Sequence, residues 1–328
     1  MTIPLAHADQ IGWYAETFER LVDNVSVAVL GKKHVVSLAV TALAAGGHLL
    51  LEDVPGTGKT SLARALANSV QCTHNRVQFT PDLLPSDVTG TSIYDPIKQQ
   101  FEFHAGPVFA NVVLADEINR ASPKTQSALL EVMEEGQVTI DGITHEVPDP
   151  FMVIATQNPI EQAGTYRLPE AQLDRFLMKT AIGYPDQAST VALLGGTAER
   201  DRARSVGHVV TSDVVGQLRG VARRVFVSDE LLGYLHSVAE ATRGHRHVRL
   251  GLSVRGLLAY THCAKAWAAA QGRNYVVPDD LKALAVPIME HRLLLDADAQ
   301  FDEVSNREVI DEIFAEVPLP AGRRSDQG

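Results

Sequence analysis

Apolar residues recur at helical spacing over residues 8–45: Ile11, Trp13, Tyr14, Phe18, Leu21 and Val22, then Val35, Val36, Leu38, Ala39 and Leu43. Gly31 interrupts the pattern, so two helices are expected ahead of the first strand. From residue 48 short apolar runs (48–52, 76–79, 112–115 and 152–156) alternate with helical stretches. Runs this short do not make helices, and the alternation predicts a mostly parallel sheet flanked by helices. Residues 91–106 read as a hairpin with Tyr94, Phe101 and Phe103 on its arms. Residues 137–147 read as a second, turning at Asp141-Gly142. After Tyr184-Pro185-Asp186 the strand signals stop. Helical patterns follow near 187–198, 211–224, 229–243, 253–271 and 278–294. The expected organisation is an α/β domain over 1–185 with two leading helices, a smaller all-helical domain over 186–318, and a turn-rich, frayed tail over 319–328. The charged stretch 199–208 reads as a solvated loop.

The chain has 328 residues, about twice the usual length of one domain. Its 40 acidic side chains outnumber 29 basic ones, for a net charge of -11. Such a field repels polyanions and argues against nucleic acid as a partner. Cys72 and Cys263 lie far apart, which excludes a disulfide scaffold and suits a reducing cytoplasm. No apolar run reaches membrane-spanning length. The longest, 35–45, contains Ser37 and Thr41 and ends at Gly46-Gly47, so it reads as a buried helix rather than a membrane segment.

The run from Leu49 to Leu62 reads as strand, glycine-rich turn and helix start, with Pro55-Gly56-Thr57-Gly58-Lys59-Thr60-Ser61 at the turn. That is the context of a phosphate-binding loop. Glycines let backbone N–H groups curl around phosphate oxygens and the helix N-terminus adds its dipole. Lys59 reaches the terminal phosphates, and Thr60 offers a hydroxyl to Mg²⁺. Asp53 stands where the strict pattern has its first glycine. It either alters the backbone at the start of the loop or places a carboxylate near the nucleotide.

About 55 residues further on, the apolar strand Val112-Val113-Leu114-Ala115 ends in Asp116-Glu117 and resembles a Walker B strand. Asp116 would hold Mg²⁺ through its waters, and Glu117 would orient or deprotonate the attacking water. A third strand runs into Asn158, which resembles the sensor 1 amide of AAA+ ATPases. These segments, together with Ile118-Asn119-Arg120-Ala121, Leu129–Gly136 and Leu168–Phe176, closely resemble the MoxR family of AAA+ ATPases over about residues 30–295.

The resemblance implies an ATP- and Mg²⁺-dependent hydrolase. It implies Arg175 as an arginine finger inserted into a neighbouring subunit, with Arg120 and Arg167 as competing candidates. Arg255, at a helix start in Gly251-Leu252-Ser253-Val254-Arg255-Gly256, would be the sensor 2 residue reaching over the γ-phosphate. The two hairpins resemble the helix-2 insert and the pre-sensor-1 hairpin. The expected assembly is a homo-oligomer, a hexameric ring, acting as a chaperone-like motor on protein clients that include proteins with von Willebrand factor A domains. A nucleic-acid motor and the ATPase subunit of a metal chelatase remain alternatives. His245-Arg246-His247 lacks the Cys or H-E-x-x-H context of a metal site and reads as a loop.

Overall fold

The computed structural model describes residues 5–54, 56–158, 165–195 and 202–320. The leading helices are α1 (Ala8–Ser26) and α2 (Lys33–Ala45). The α/β part continues with β1 (Leu49–Glu52), α3 (Lys59–Ser69), β2 (His74–Gln78), α4 (Pro85–Thr89), β3 (Gly90–Asp95), β4 (Gln100–Ala105), β5 (Val112–Asp116), α5 (Pro123–Glu135), β6 (Gln137–Ile140), β7 (Ile143–Glu146), β8 (Met152–Gln157), α6 (Glu170–Leu173) and β9 (Met178–Thr180). Five strands form one sheet in the order β2-β5-β8-β1-β9, every pair parallel.

The strand sequences explain this layering. β5 is buried at every position and β8 at all but its last, as expected of strands covered on both faces. Leu49, Leu51, Val112, Leu114, Met152 and Ile154 point to one face, where they pack with α1, α2 and α3. Leu50, Val113, Ala115, Val153 and Ala155 alternate to the other face, against Leu129, Leu130 and Met133 of α5. β2 is an edge strand and buries only Val77. Helix α5 starts with Pro123 behind the N-cap Ser122 and stops at Gly136 in the left-handed conformation.

Both expected hairpins form. β3 pairs antiparallel with β4, and β6 with β7. In the second, Asp141 and Gly142 both take positive φ, 52° and 80°, matching the twist of the arms. The edge strand β9 carries too short an apolar run to be read in advance.

The remaining chain forms α7 (Gln187–Leu194), α8 (Ser212–Arg223), α9 (Asp229–Gly244), β10 (Val248–Leu250), α10 (Val254–Ala270), α11 (Pro278–Met289), β11 (Leu294–Leu295), α12 (Ala297–Phe301) and α13 (Asn306–Glu316). It is not wholly helical as expected: β10 and β11 pair as a small antiparallel ribbon. Three- and two-residue strands leave no alternation long enough to register in the sequence. The apolar cluster on the α1–α3 side runs without a break into α8, α9, α10 and α11, so the helical part shares a core with the leading helices.

Candidate nucleotide site

β1 lies between β8 and β9 and delivers the glycine-rich loop at its C-terminal end. Gly56 and Gly58 take φ of 86° and 99°, and a Cβ added at either would meet nothing within 4 Å. Glycine is needed there for backbone conformation, and the loop faces open space. Gly58 is also the N-cap of α3 and supplies no side-chain hydrogen bond. The first amides of α3 are left for an anion, and the helix dipole reinforces them. The residues present therefore fit a nucleotide's phosphates. Pro55 lies outside the described residues.

Lys59 folds back on its own loop. Its Nζ donates to the carbonyls of Asp53 at 2.8 Å and Val54 at 2.9 Å. Thr57 is buried and its hydroxyl donates to the Val54 carbonyl at 3.3 Å. Thr60 and Ser61 are half-buried in the first turn of α3. Thr60 lines a cavity of about 240 Å³ with Arg64, His74 and Arg76.

The acids lie on the other side of β8. Asp116 is buried; one oxygen accepts from the Thr156 hydroxyl at 2.6 Å and the other from Arg76 at 2.7 Å. Glu117 takes φ of 56°, a left-handed turn that swings its side chain off the end of β5. Its carboxylate accepts from Gln78 at 2.8 Å and Arg120 at 2.9 Å, and its N–H donates to the Thr156 hydroxyl at 2.9 Å. Asn158 follows β8 directly and is buried. Glu52 pairs with Gln157, so Asn158 sits level with Asp53, between the loop and the acids.

The Thr60 hydroxyl and the Asp116 carboxylate are hard oxygen donors of the kind Mg²⁺ takes while keeping several waters. The guanidinium of Arg76 supplies the positive charge that Asp116 faces here. Arg76, Gln78 and Thr156 were not singled out from the sequence. The register Gln78↔Asp116 brings β2 to the acids, and strand adjacency is a tertiary fact.

Arg175 and Arg255, 80 residues apart in sequence, meet on one carboxylate. Glu134, near the end of α5, pairs with Arg175 at 3.0 Å and Arg255 at 2.9 Å. Arg120, a competing finger candidate, instead contacts Glu117 of its own chain, and Arg167 is exposed. Asp174 accepts from Arg292 at 2.6 Å and from Ser253 at 3.1 Å, joining the segment before Arg175 to the helical part. His245 contacts Glu312 at 3.2 Å. Among the described residues, no group of three or more His, Cys, Asp or Glu side chains is arranged to hold a metal, and no helix is long and apolar enough to cross a membrane.

Comparison with known proteins identifies the family. The profile of the "ATPase family associated with various cellular activities (AAA)" matches residues 48–178, and the "AAA lid domain" profile matches residues 240–313. The chaperone MoxR1 of Mycobacterium tuberculosis is 40% identical over 97% of this chain and 86% of its own length. The chain belongs to the MoxR family of AAA+ ATPases. The YeaC protein of Bacillus subtilis is 45% identical over 93% of this chain and 95% of its own length. A crystal structure of a candidate ATPase from Cytophaga hutchinsonii superposes with a TM-score of 0.88 at 38% identity, covering 95% of this MoxR-family chain and 98% of that one. As a member of this ATPase family the protein binds and hydrolyses ATP, and its helical part carries the AAA lid.

Proposed function

We propose that this MoxR-family ATPase is a Mg²⁺-dependent, ring-forming motor of the cytoplasm that remodels or activates partner proteins, with each ATP site completed by a neighbouring subunit. The observation that carries the shared site is the pairing of Arg175 with Glu134 on α5, while the cations that meet Asp116 and Glu117 are Arg76 and Arg120. The Arg175 guanidinium, held on a partly exposed carboxylate, suits delivery to a neighbour's triphosphate, where it offsets charge developing in the transition state, while Arg255 serves as the lid's sensor 2 residue over the γ-phosphate. Within a subunit, Lys59, the loop amides from 56 to 61 and Asn158 position the phosphates. Thr60 and Asp116 would hold Mg²⁺, which would supply neutralisation of phosphate charge. Glu117 orients the water and takes its proton, and to do so its carboxylate exchanges Gln78 and Arg120 for that water.

The first hairpin favours a protein client over nucleic acid. Ile97 at its tip is 92% exposed and Phe101 is 71% exposed, with Ile93 and Tyr94 beside them. Its one cation, Lys98, is paired with Glu102 at 2.5 Å and lies 3.8 Å from Asp95. An apolar tip with its charge neutralised internally suits peptide contact and has little to offer phosphodiesters. The MoxR1 relative is named a chaperone, and near full-length similarity to it favours remodelling over the chelatase alternative. Clients with von Willebrand factor A domains and a hexameric ring follow from the family resemblance.

The test is Mg²⁺-dependent turnover per subunit across a protein-concentration series. Specific activity that rises with assembly and vanishes in chelator supports the reading. Turnover per subunit that is constant from monomer upward contradicts it.

A further inference from the structure

Asp53 replaces the first glycine of the strict phosphate-loop pattern, and the structure shows where its carboxylate goes. The side chain is buried and turns away from the phosphate cradle. Oδ2 accepts from the amides of Ile182 at 2.9 Å and Gly183 at 2.7 Å, and Oδ1 accepts from the amide of Val54 at 2.8 Å. Its own N–H donates to the Gln157 carbonyl at 3.1 Å, one residue before Asn158. Its carbonyl receives Lys59 Nζ at 2.8 Å. One residue thus touches the phosphate lysine, the end of β8 and the segment that carries the chain from β9 into the lid.

That segment is fastened nearby as well. Gly183, whose amide donates to Asp53, takes φ of 67°. Lys32 donates to the Tyr184 carbonyl at 2.7 Å. A Cβ on Gly31 would lie 2.7 Å from the Ser189 hydroxyl and 3.0 Å from the Asp186 carboxylate. A buried carboxylate cannot give up its donors without a large cost, so the bond between loop and linker persists as either one moves. Bonds from main-chain amides to a charged oxygen are also stronger than neutral ones.

We propose that Asp53 is a positioning residue that couples the phosphate loop to the lid linker. Lys59 leaves the Asp53 and Val54 carbonyls when it engages phosphate, which changes the start of the loop. The Asp53 side chain passes that change to Ile182 and Gly183, and through them to the lid. A glycine at residue 53 would bind phosphate with no such connection. The proposal rests on nucleotide binding at this loop.

The experiment is amide exchange on the full-length protein, with and without ADP or a non-hydrolysable ATP analogue, for wild type and Asp53→Gly. In the wild type, nucleotide is expected to alter exchange both at 56–61 and at 182–183. In Asp53→Gly, nucleotide still alters 56–61, while Ile182 and Gly183 exchange about tenfold faster and no longer respond. A wild-type-like nucleotide response at 182–183 in Asp53→Gly overturns the coupling, as does a wild type in which only the loop responds. A wild type with no response even at 56–61 overturns the loop assignment itself, a separate failure. Should Asp53→Gly not fold, Asp53→Asn keeps the side chain's size but replaces one amide-accepting oxygen with a donor, which weakens the same link and is read for the same two outcomes.

Discussion

Glu117 and Lys59 do different work within one site, and their substitutions separate the roles. Glu117→Gln keeps the side chain's size and removes its capacity as a base. Turnover is expected to fall by about 10²–10⁴-fold with nucleotide binding retained. Lys59→Ala removes the cation that holds the terminal phosphates, so binding and turnover fall together. Single-turnover assays beside fluorescent-nucleotide titrations check both, and near-unchanged turnover in either variant contradicts the assignment.

His48, one residue ahead of β1, gives a pH signature. Its Nδ1 accepts from the Val153 amide at 2.9 Å, so Nε2 carries the proton that meets the Met133 carbonyl at 3.0 Å. Burial pushes this imidazole down to about 4. Between that value and about 6.5, the unfolded chain binds more protons than the folded one, so stability complete above 6.5 is lost as pH falls toward 4. The loss is on the order of 3 kcal/mol. Buried His291, held low by burial and then by Arg292, acts in the same direction. Urea unfolding from about pH 7 to about pH 5 should show the slope, and His48→Gln should flatten it.

At the scale of elements, much was legible because local pattern and local structure coincide. The short runs at 48–52, 112–115 and 152–156 became β1, β5 and β8, and Asp141-Gly142 became the turn between β6 and β7. What escaped depends on contacts distant in sequence. The neighbours of β2, the convergence of Arg175 and Arg255 on Glu134, and the reach of Asp53 to residues 182–183 have no local signature. The first hairpin is rooted where Gly90 and Gly106 pass closely. A Cβ on Gly106 would lie 2.3 Å from the Val88 carbonyl oxygen and 2.4 Å from the Gly90 nitrogen. Gly106→Ala is expected to force the strands apart at a cost of about 1–3 kcal/mol. Limited proteolysis should then cut within 91–105 under native conditions, and an unchanged digestion pattern and melting temperature would count against this root.

For the whole molecule, two of the bonds between lid and core flank the functional residues. Asp174 binds Arg292 and Ser253 beside Arg175, and Asp53 binds the linker beside the phosphate loop. Arg175 and the loop of one subunit therefore belong to one connected body, and in the proposed ring that body would serve two different ATP sites. Head-to-tail contacts of this kind are heterologous, so one subunit's defect can be complemented by its neighbour's intact half. The most direct measurement mixes Arg175→Ala subunits, which retain the loop, with Lys59→Ala subunits, which retain the finger. Each alone should be nearly inactive, and a mixture should regain turnover, most at equal proportions, where about one quarter of interfaces join an intact loop to an intact Arg175. Mixed assemblies no more active than the sum of their parents at every ratio would contradict a shared ATP site.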